Sequence, residues 1–164
     1  MDYAQILSNL FVGSHPRCID DIDRLRREFD ITAVLNLQMD EDMRSVNVAW
    51  EPLQAHYSAC RIELCRVPVT DFDTVDLREK LPNCVRALDR LLAAGHSVYL
   101  HCTAGTGRSP TTAIAYLHWC RGWDLAGAVA YVKDHRQCSP NVEAIREAIW
   151  DPRKEQHTPP SGAP

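Results

Sequence analysis

The sequence predicts an α/β domain: a central, mostly parallel sheet of about five strands with helices on both faces. Three observations lead there. Short apolar runs of strand length alternate with longer stretches whose apolar residues keep helical spacing, the order of strand–helix–strand units. The 164 residues show no internal repeat and suit a single domain large enough for a real core. Residues 97–110, SVYLHCTAGTGRSP, pass from an apolar strand through two glycines into a helix announced by Pro110.

In chain order, residues 3–13 read as a short hairpin turning at Ser8-Asn9. Residues 19–29 set Ile22, Leu25 and Phe29 at helical spacing among charges. A buried strand over 31–37 is followed by an acidic loop, 39–43, and a helix, 48–59. The chain returns as a strand over 61–69, ending at Pro68 and Thr70. Residues 77–94 form a helix with Val85, Leu88, Leu91 and Leu92 on one face; Asp76 is its natural N-cap and Gly95 closes it. After the strand at 98–100, a helix over 111–121 turns Ala113, Ile114, Leu117 and Cys120 inward and is capped by Gly122. Two further helices, 124–135 and 141–150, complete a domain spanning 1–150. Residues 151–164 have the proline and polar content of a flexible tail.

Composition narrows the function. A net charge of −4 gives no electrostatic reason to expect nucleic acid or an anionic membrane as partner. No apolar run approaches the length of a membrane span, and the first residues lack the pattern of a secretory leader. Seven cysteines, at 18, 60, 65, 84, 102, 120 and 138, form no CxxC pair, which argues against a structural zinc site or a disulfide framework. They fit a reducing compartment, the cytoplasm, and a monomer is expected.

The chemistry concentrates in residues 101–110. A strand that turns through glycines into a helix N-terminus points several backbone N–H groups at one place, a geometry that binds a phosphate dianion. Thr103, Ala104, Gly105, Thr106 and Gly107 supply that loop. Cys102 sits at its start, and such a field favours thiolate over thiol. Arg108 offers a planar fork that grips two phosphoryl oxygens at once. Ser109 is placed to donate its hydroxyl to the departing sulfur, and His101 to orient the cysteine through backbone hydrogen bonds. The charge supplied by amides and arginine makes a metal or other cofactor unnecessary.

Cleaving a phosphate ester at neutral pH also needs a proton for the leaving oxygen, and a carboxylic acid is a common donor. Residues 68–77, PVTDFDTVDL, leave the sheet at the edge that carries the phosphate loop, where ligands bind in open α/β sheets. Asp71, first off the strand, is the expected general acid, with Asp73 as its rival or as a brace for the loop. Phe72 beside it is poorly placed for a core and well placed to pack on the apolar face of a sugar ring. Tyr3 and Trp50 are further candidates for substrate binding, whereas Trp119, Trp123 and Trp150 are expected to pack structurally.

The HCX5RS pattern of residues 101–109 resembles the signature of the cysteine-dependent protein tyrosine phosphatase superfamily. Further segments narrow the resemblance to the glucan phosphatase branch of the dual-specificity phosphatases, the laforin and plant starch-excess type. They are LFVGS (10–14), VLNLQ with acidic residues after it (34–42), DFDTVDLREKLP (71–82), HCTAGTGRSP (101–110) and HRQCSPNVEAIREA (135–148). The resemblance implies that Asp71 is the general acid and that Phe72 touches the glucan. Two positions depart from the plant members: Val46, where they carry an aromatic, and Ser109, where they carry alanine. The catalytic domain consumes almost all of the residues, so glucan affinity is expected to come from that domain or from a partner.

The expected activity is hydrolysis of a phosphomonoester through a cysteinyl-phosphate intermediate, with phosphorylated glucan as substrate. A phosphoprotein or phosphoinositide substrate is the alternative within that chemistry. A phosphate-binding module without turnover is a third reading, which the presence of Cys102, Arg108 and an acid disfavours.

Overall fold

The computed structural model describes residues 1–152. Residues 153–164 of the expected tail lie outside the described residues. The elements are β1 (Tyr3–Leu7), β2 (Leu10–Gly13), α1 (Ile19–Phe29), β3 (Ala33–Asn36), α2 (Asp40–Ser45) and α3 (Trp50–Ala59). They continue with β4 (Glu63–Arg66), α4 (Thr74–Ala93), β5 (Val98–His101), α5 (Arg108–Trp119), α6 (Leu125–His135) and α7 (Val142–Glu147). The strands form one sheet in the order β1-β2-β5-β3-β4. Only the hairpin β1/β2 is antiparallel; β2/β5, β5/β3 and β3/β4 are parallel. This is the expected α/β class.

Alternation along each strand sorts the core into two layers. Leu10, Val12, Leu35, Val98 and Leu100 face the layer formed with α4, α5, α6 and α7. Phe11, Val34 and Tyr99 face the other way, onto Ile22 and Leu25 of α1 and Leu53 and Tyr57 of α3. The register sets Gly13, Asn36 and His101 side by side at the carboxyl ends of β2, β3 and β5, so the segments leaving these strands share one edge.

Several boundaries differ from expectation, each for a local reason. The expected acidic loop is the helix α2, closed at its start by Met39 N–H donating to Asp42 Oδ2 at 2.9 Å, with Met43 as its buried residue. Helix α4 begins at Thr74 because Asp73, not Asp76, caps it, accepting from the N–H groups of Val75 (3.0 Å) and Asp76 (2.9 Å). Asp76 instead accepts from Thr70 N–H at 2.7 Å and pairs with Lys80 at 2.9 Å. β4 is four residues long, and α7 ends at Glu147. Beyond α7, Trp150 stacks on Trp119 with ring centroids 4.9 Å apart, as packing tryptophans should.

Candidate active site

Strand β5 delivers the loop, and its carbonyls explain its shape. Thr103 O accepts from His15 N (3.0 Å) and from His15 Nδ1 (2.8 Å). Ala104 O and Gly105 O accept from Arg136 at the end of α6, from Nη2 at 3.2 Å and Nε at 2.5 Å. Thr106 O accepts from Ser139 N–H at 2.8 Å. Four consecutive carbonyls are therefore held outward. The C=O and N–H of one peptide point in opposite directions, so the N–H groups of residues 104–107 turn inward, a nest for an anion. Gly105 N–H shows it, donating to Cys102 Sγ at 3.3 Å. Gly105 has φ +72, and a Cβ there would overlap the Gly13 carbonyl and crowd Arg136, so this close approach of the loop to β2 needs glycine at position 105. Arg136 is itself steadied by Asp2, 3.2 Å from its Nη2.

Cys102 stands beneath that nest, with Ser109 Oγ 3.4 Å from its sulfur. His101 Nδ1 lies 3.1 Å from the Cys102 carbonyl, which accepts only, so Nδ1 carries the proton. Burial pushes the His101 pKa down to about 3, against the smaller opposing effect of that hydrogen bond, and the ring stays neutral through the working pH range. The sign of its effect on stability follows. Below ~6.5 the unfolded chain takes up a proton that the folded chain refuses until about 3, so stability falls as the pH drops through that window. The slope contributed is up to about 1.4 kcal/mol per pH unit. Thermal melts between ~6.5 and ~4 should therefore decline more steeply for the wild type than for His101→Asn; parallel slopes would remove this role.

Arg108 opens α5, and its side chain is 3% exposed. Its Nη1 donates to Asp42 Oδ2 at 2.6 Å and to Val69 O at 2.7 Å. Its Nη2 reaches Thr103 Oγ1 at 3.2 Å and Asp71 Oδ2 at 3.0 Å. Nε is buried with no partner among the described residues. The fork is thus fixed from behind by Asp42 and Val69, while one donor stays available to an incoming oxygen. Thr103 also receives Gln38 Nε2 at 3.2 Å, which ties the loop to the chain after β3.

A cleft of about 330 Å³ lies over these groups, bordered by Asp71, Phe72, Cys102, Gly107, Arg108 and Asn141 among others. Of the expected phosphate-binding residues, Ala104, Thr106, Gly107 and Arg108 border it, while the Thr103 side chain is turned to Arg108 and Gln38. Asp73 lines the rim but is occupied as the α4 cap, whereas Asp71 reaches Arg108. Phe72 follows with φ +58 and a side chain wholly in solvent, 100% exposed. Tyr3 and Trp50 are not brought to the cleft. Tyr3 packs edge-on against Phe29 at 4.9 Å, and Trp50 lies under the Arg66 guanidinium at 4.9 Å.

Sequence reasoning missed Asp42, His15, Gln38 and Arg136. Asp42 lies 66 residues before Arg108 and Arg136 lies 31 residues after Gly105, so no local spacing links them.

Comparison with known proteins agrees with this geometry. The family model described as the dual specificity phosphatase catalytic domain matches residues 10–149. The chain is 35% identical over 151 residues to the chloroplastic phosphoglucan phosphatase LSF1 of Arabidopsis thaliana, covering 92% of this chain and 25% of that protein. It is 34% identical over 135 residues to laforin of Mus musculus, covering 76% of this chain and 41% of laforin. The chain thus spans less than half the length of these relatives. Among solved structures, PTPMT1 superposes with a TM-score of 0.71 at 21% identity, over 89% of this chain and 92% of that one, a likeness of fold.

Proposed function

Because the chain belongs to the dual specificity phosphatase family, we propose that it hydrolyses phosphate monoesters through a cysteinyl-phosphate and that its substrate is a phosphorylated glucan. The observation that carries the reaction is the sulfur of Cys102 under an inward-facing amide nest, beside an arginine with a free buried donor.

The steps follow from the positions. A phosphate dianion entering the nest competes with Asp71 for the Arg108 fork, and two phosphoryl oxygens take the place of the carboxylate. The Cys102 thiolate then forms a bond to phosphorus as the bond to the leaving oxygen breaks, and Asp71, as the acid, gives that oxygen its proton. The amides and Arg108 hold the three equatorial oxygens as their charge rearranges. In the second step water attacks phosphorus, Asp71 takes its proton, and the S–P bond breaks to release inorganic phosphate. Ser109 steadies the departing sulfur.

Two features favour a glucan. Among the described residues, Arg108 is the one cation bordering the cleft, beside the carboxylates of Asp71 and Asp73, which suits a single phosphate on an uncharged carrier better than an inositide carrying several. Phe72 presents a free aromatic face at the rim, where a sugar ring has C–H groups to cover it. The names of the relatives point to the same substrate class. A thiolate mechanism suits a reducing setting such as the cytoplasm, and the seven unpaired cysteines are in keeping with one.

The test compares phosphate release from solubilised phosphoglucan, a phosphotyrosine peptide and phosphoinositides. Preference for the peptide or the lipid would overturn the glucan assignment and leave the phosphatase chemistry standing. Phe72→Ala should weaken apparent affinity for phosphoglucan roughly 5–30-fold, the loss of about 1–2 kcal/mol of stacking, and leave turnover of p-nitrophenyl phosphate nearly unchanged. An equal loss on both substrates would make Phe72 a structural residue instead.

A further inference from the structure

On the face of the sheet covered by α1 and α3, Asp23 of α1 and His56 and Cys60 of α3 and its C-cap bring three side chains to one point. His56 Nε2 lies 2.7 Å from Asp23 Oδ1 and 3.4 Å from Cys60 Sγ, and the sulfur is 4.0 Å from the same carboxylate oxygen. The helix explains half of this arrangement, since positions 56 and 60 are four apart and so share one face. The packing of α1 on α3 explains the rest, since Ile22, Leu25, Leu53 and Tyr57 form one buried cluster beside it.

The cluster differs from a catalytic triad in one respect. In a nucleophile–histidine–carboxylate relay the two partners engage opposite ring nitrogens. Here the carboxylate and the sulfur both address Nε2, and the three donor atoms surround a single centre. From this geometry we infer that Asp23, His56 and Cys60 form a binding site for a thiophilic divalent cation of the zinc type.

Carboxylate oxygen, imidazole nitrogen and thiolate sulfur are the donor types that zinc takes, at roughly 2.0–2.3 Å, and a tetrahedral centre sets such donors about 3.3–3.5 Å apart. The three observed separations lie within about 0.6 Å of that triangle. His56 and Asp23 are 22% and 39% exposed at their side chains, so a fourth position is open to water. Binding exchanges protons for the metal: the Cys60 thiol, and His56 when it is protonated, release theirs to solvent as the bonds to the cation form. The lack of paired cysteines does not bear on this site, because it uses one sulfur and draws its ligands from two helices.

The site stands apart from the phosphate chemistry. Cys60 comes three residues before β4, at the amino end of the strands, whereas Cys102 follows the carboxyl end of β5. A cation here clips α1 to α3 without touching the cleft.

The experiment titrates the full chain, carrying Cys102→Ser to silence the catalytic sulfur, with cobalt(II) as a spectroscopic stand-in for zinc. The expected result is a thiolate-to-cobalt charge-transfer band in the near ultraviolet that saturates at one equivalent and that zinc abolishes. Adding Cys60→Ser should remove the band, and Asp23→Asn should weaken cobalt binding tenfold or more. Zinc at about a hundredfold excess over its Kd should raise Tm by roughly 5–10 °C, and His56→Gln, which keeps a polar side chain between the helices, should lose that rise. No band under excess cobalt, a band that survives Cys60→Ser, or an affinity indifferent to Asp23→Asn would overturn the site. None of these readouts depends on turnover, so the phosphatase reading can fail independently.

Discussion

Cys102→Ser should lower phosphate release by roughly 10⁴-fold or more on every substrate, while phosphate still binds. The hydroxyl nearly matches the thiol in size, so the buried position, 3% exposed, is not emptied, and the Gly105 N–H keeps an acceptor. What is lost is the nucleophile, because a serine hydroxyl in this loop has no general base to take its proton. His101 cannot serve, since its protonated nitrogen is engaged by the Cys102 carbonyl and its ring is buried and neutral. A stoichiometric burst of product in the wild type, with 32P retained on the quenched protein and absent from the variant, is the accompanying measurement. Turnover kept in the variant would move the nucleophile to another residue.

Asp71→Asn should slow hydrolysis of a sugar phosphate by roughly 10²–10⁴-fold. The size of the effect should depend on the leaving group. A sugar alkoxide is a poor leaving group without a proton, whereas p-nitrophenolate departs readily, so the loss on p-nitrophenyl phosphate should be smaller. The variant also frees Arg108 Nη2 from its carboxylate partner 3.0 Å away, so phosphate binding should not weaken. Asp73→Ala supplies the contrast. It removes the cap from α4 and should cost about 0.5–2 kcal/mol of stability with a modest change in rate. A large rate loss confined to Asp73→Ala would exchange the roles of the two aspartates.

Local pattern made most of the fold legible. The hairpin and the phosphate strand read as short apolar runs bounded by turn residues, α1 keeps helical spacing over its whole length, and all three lie where expected. α2 was hidden because its sequence, DEDMRS, is polar but for Met43 and so has no apolar face to read. The start of α4 moved because Asp73 and Asp76 are both good caps by type, and the choice depends on Thr70 engaging Asp76 from outside the helix. In the site, Cys102, Arg108 and Asp71 are legible because the chemistry demands those groups in one short loop and at one sheet edge. Asp42 and Arg136 are not, because a partner 66 or 31 residues away leaves no trace in spacing. Tyr3 and Trp50 had the right chemistry for a sugar, but rings at Phe29 and under Arg66 are spent on packing.

The bracing of the loop carbonyls by Arg136, and of Arg136 by Asp2, has a consequence for the order in which the molecule comes together. Asp2 and Arg136 are 134 residues apart, and contacts of such separation form only once most of the intervening chain is in place. A partly folded chain would already contain the thiol, the arginine and the acid, yet its amides would not converge. Catalytic competence is then the last property the chain acquires, and turnover reports on completed folding more strictly than helix content does.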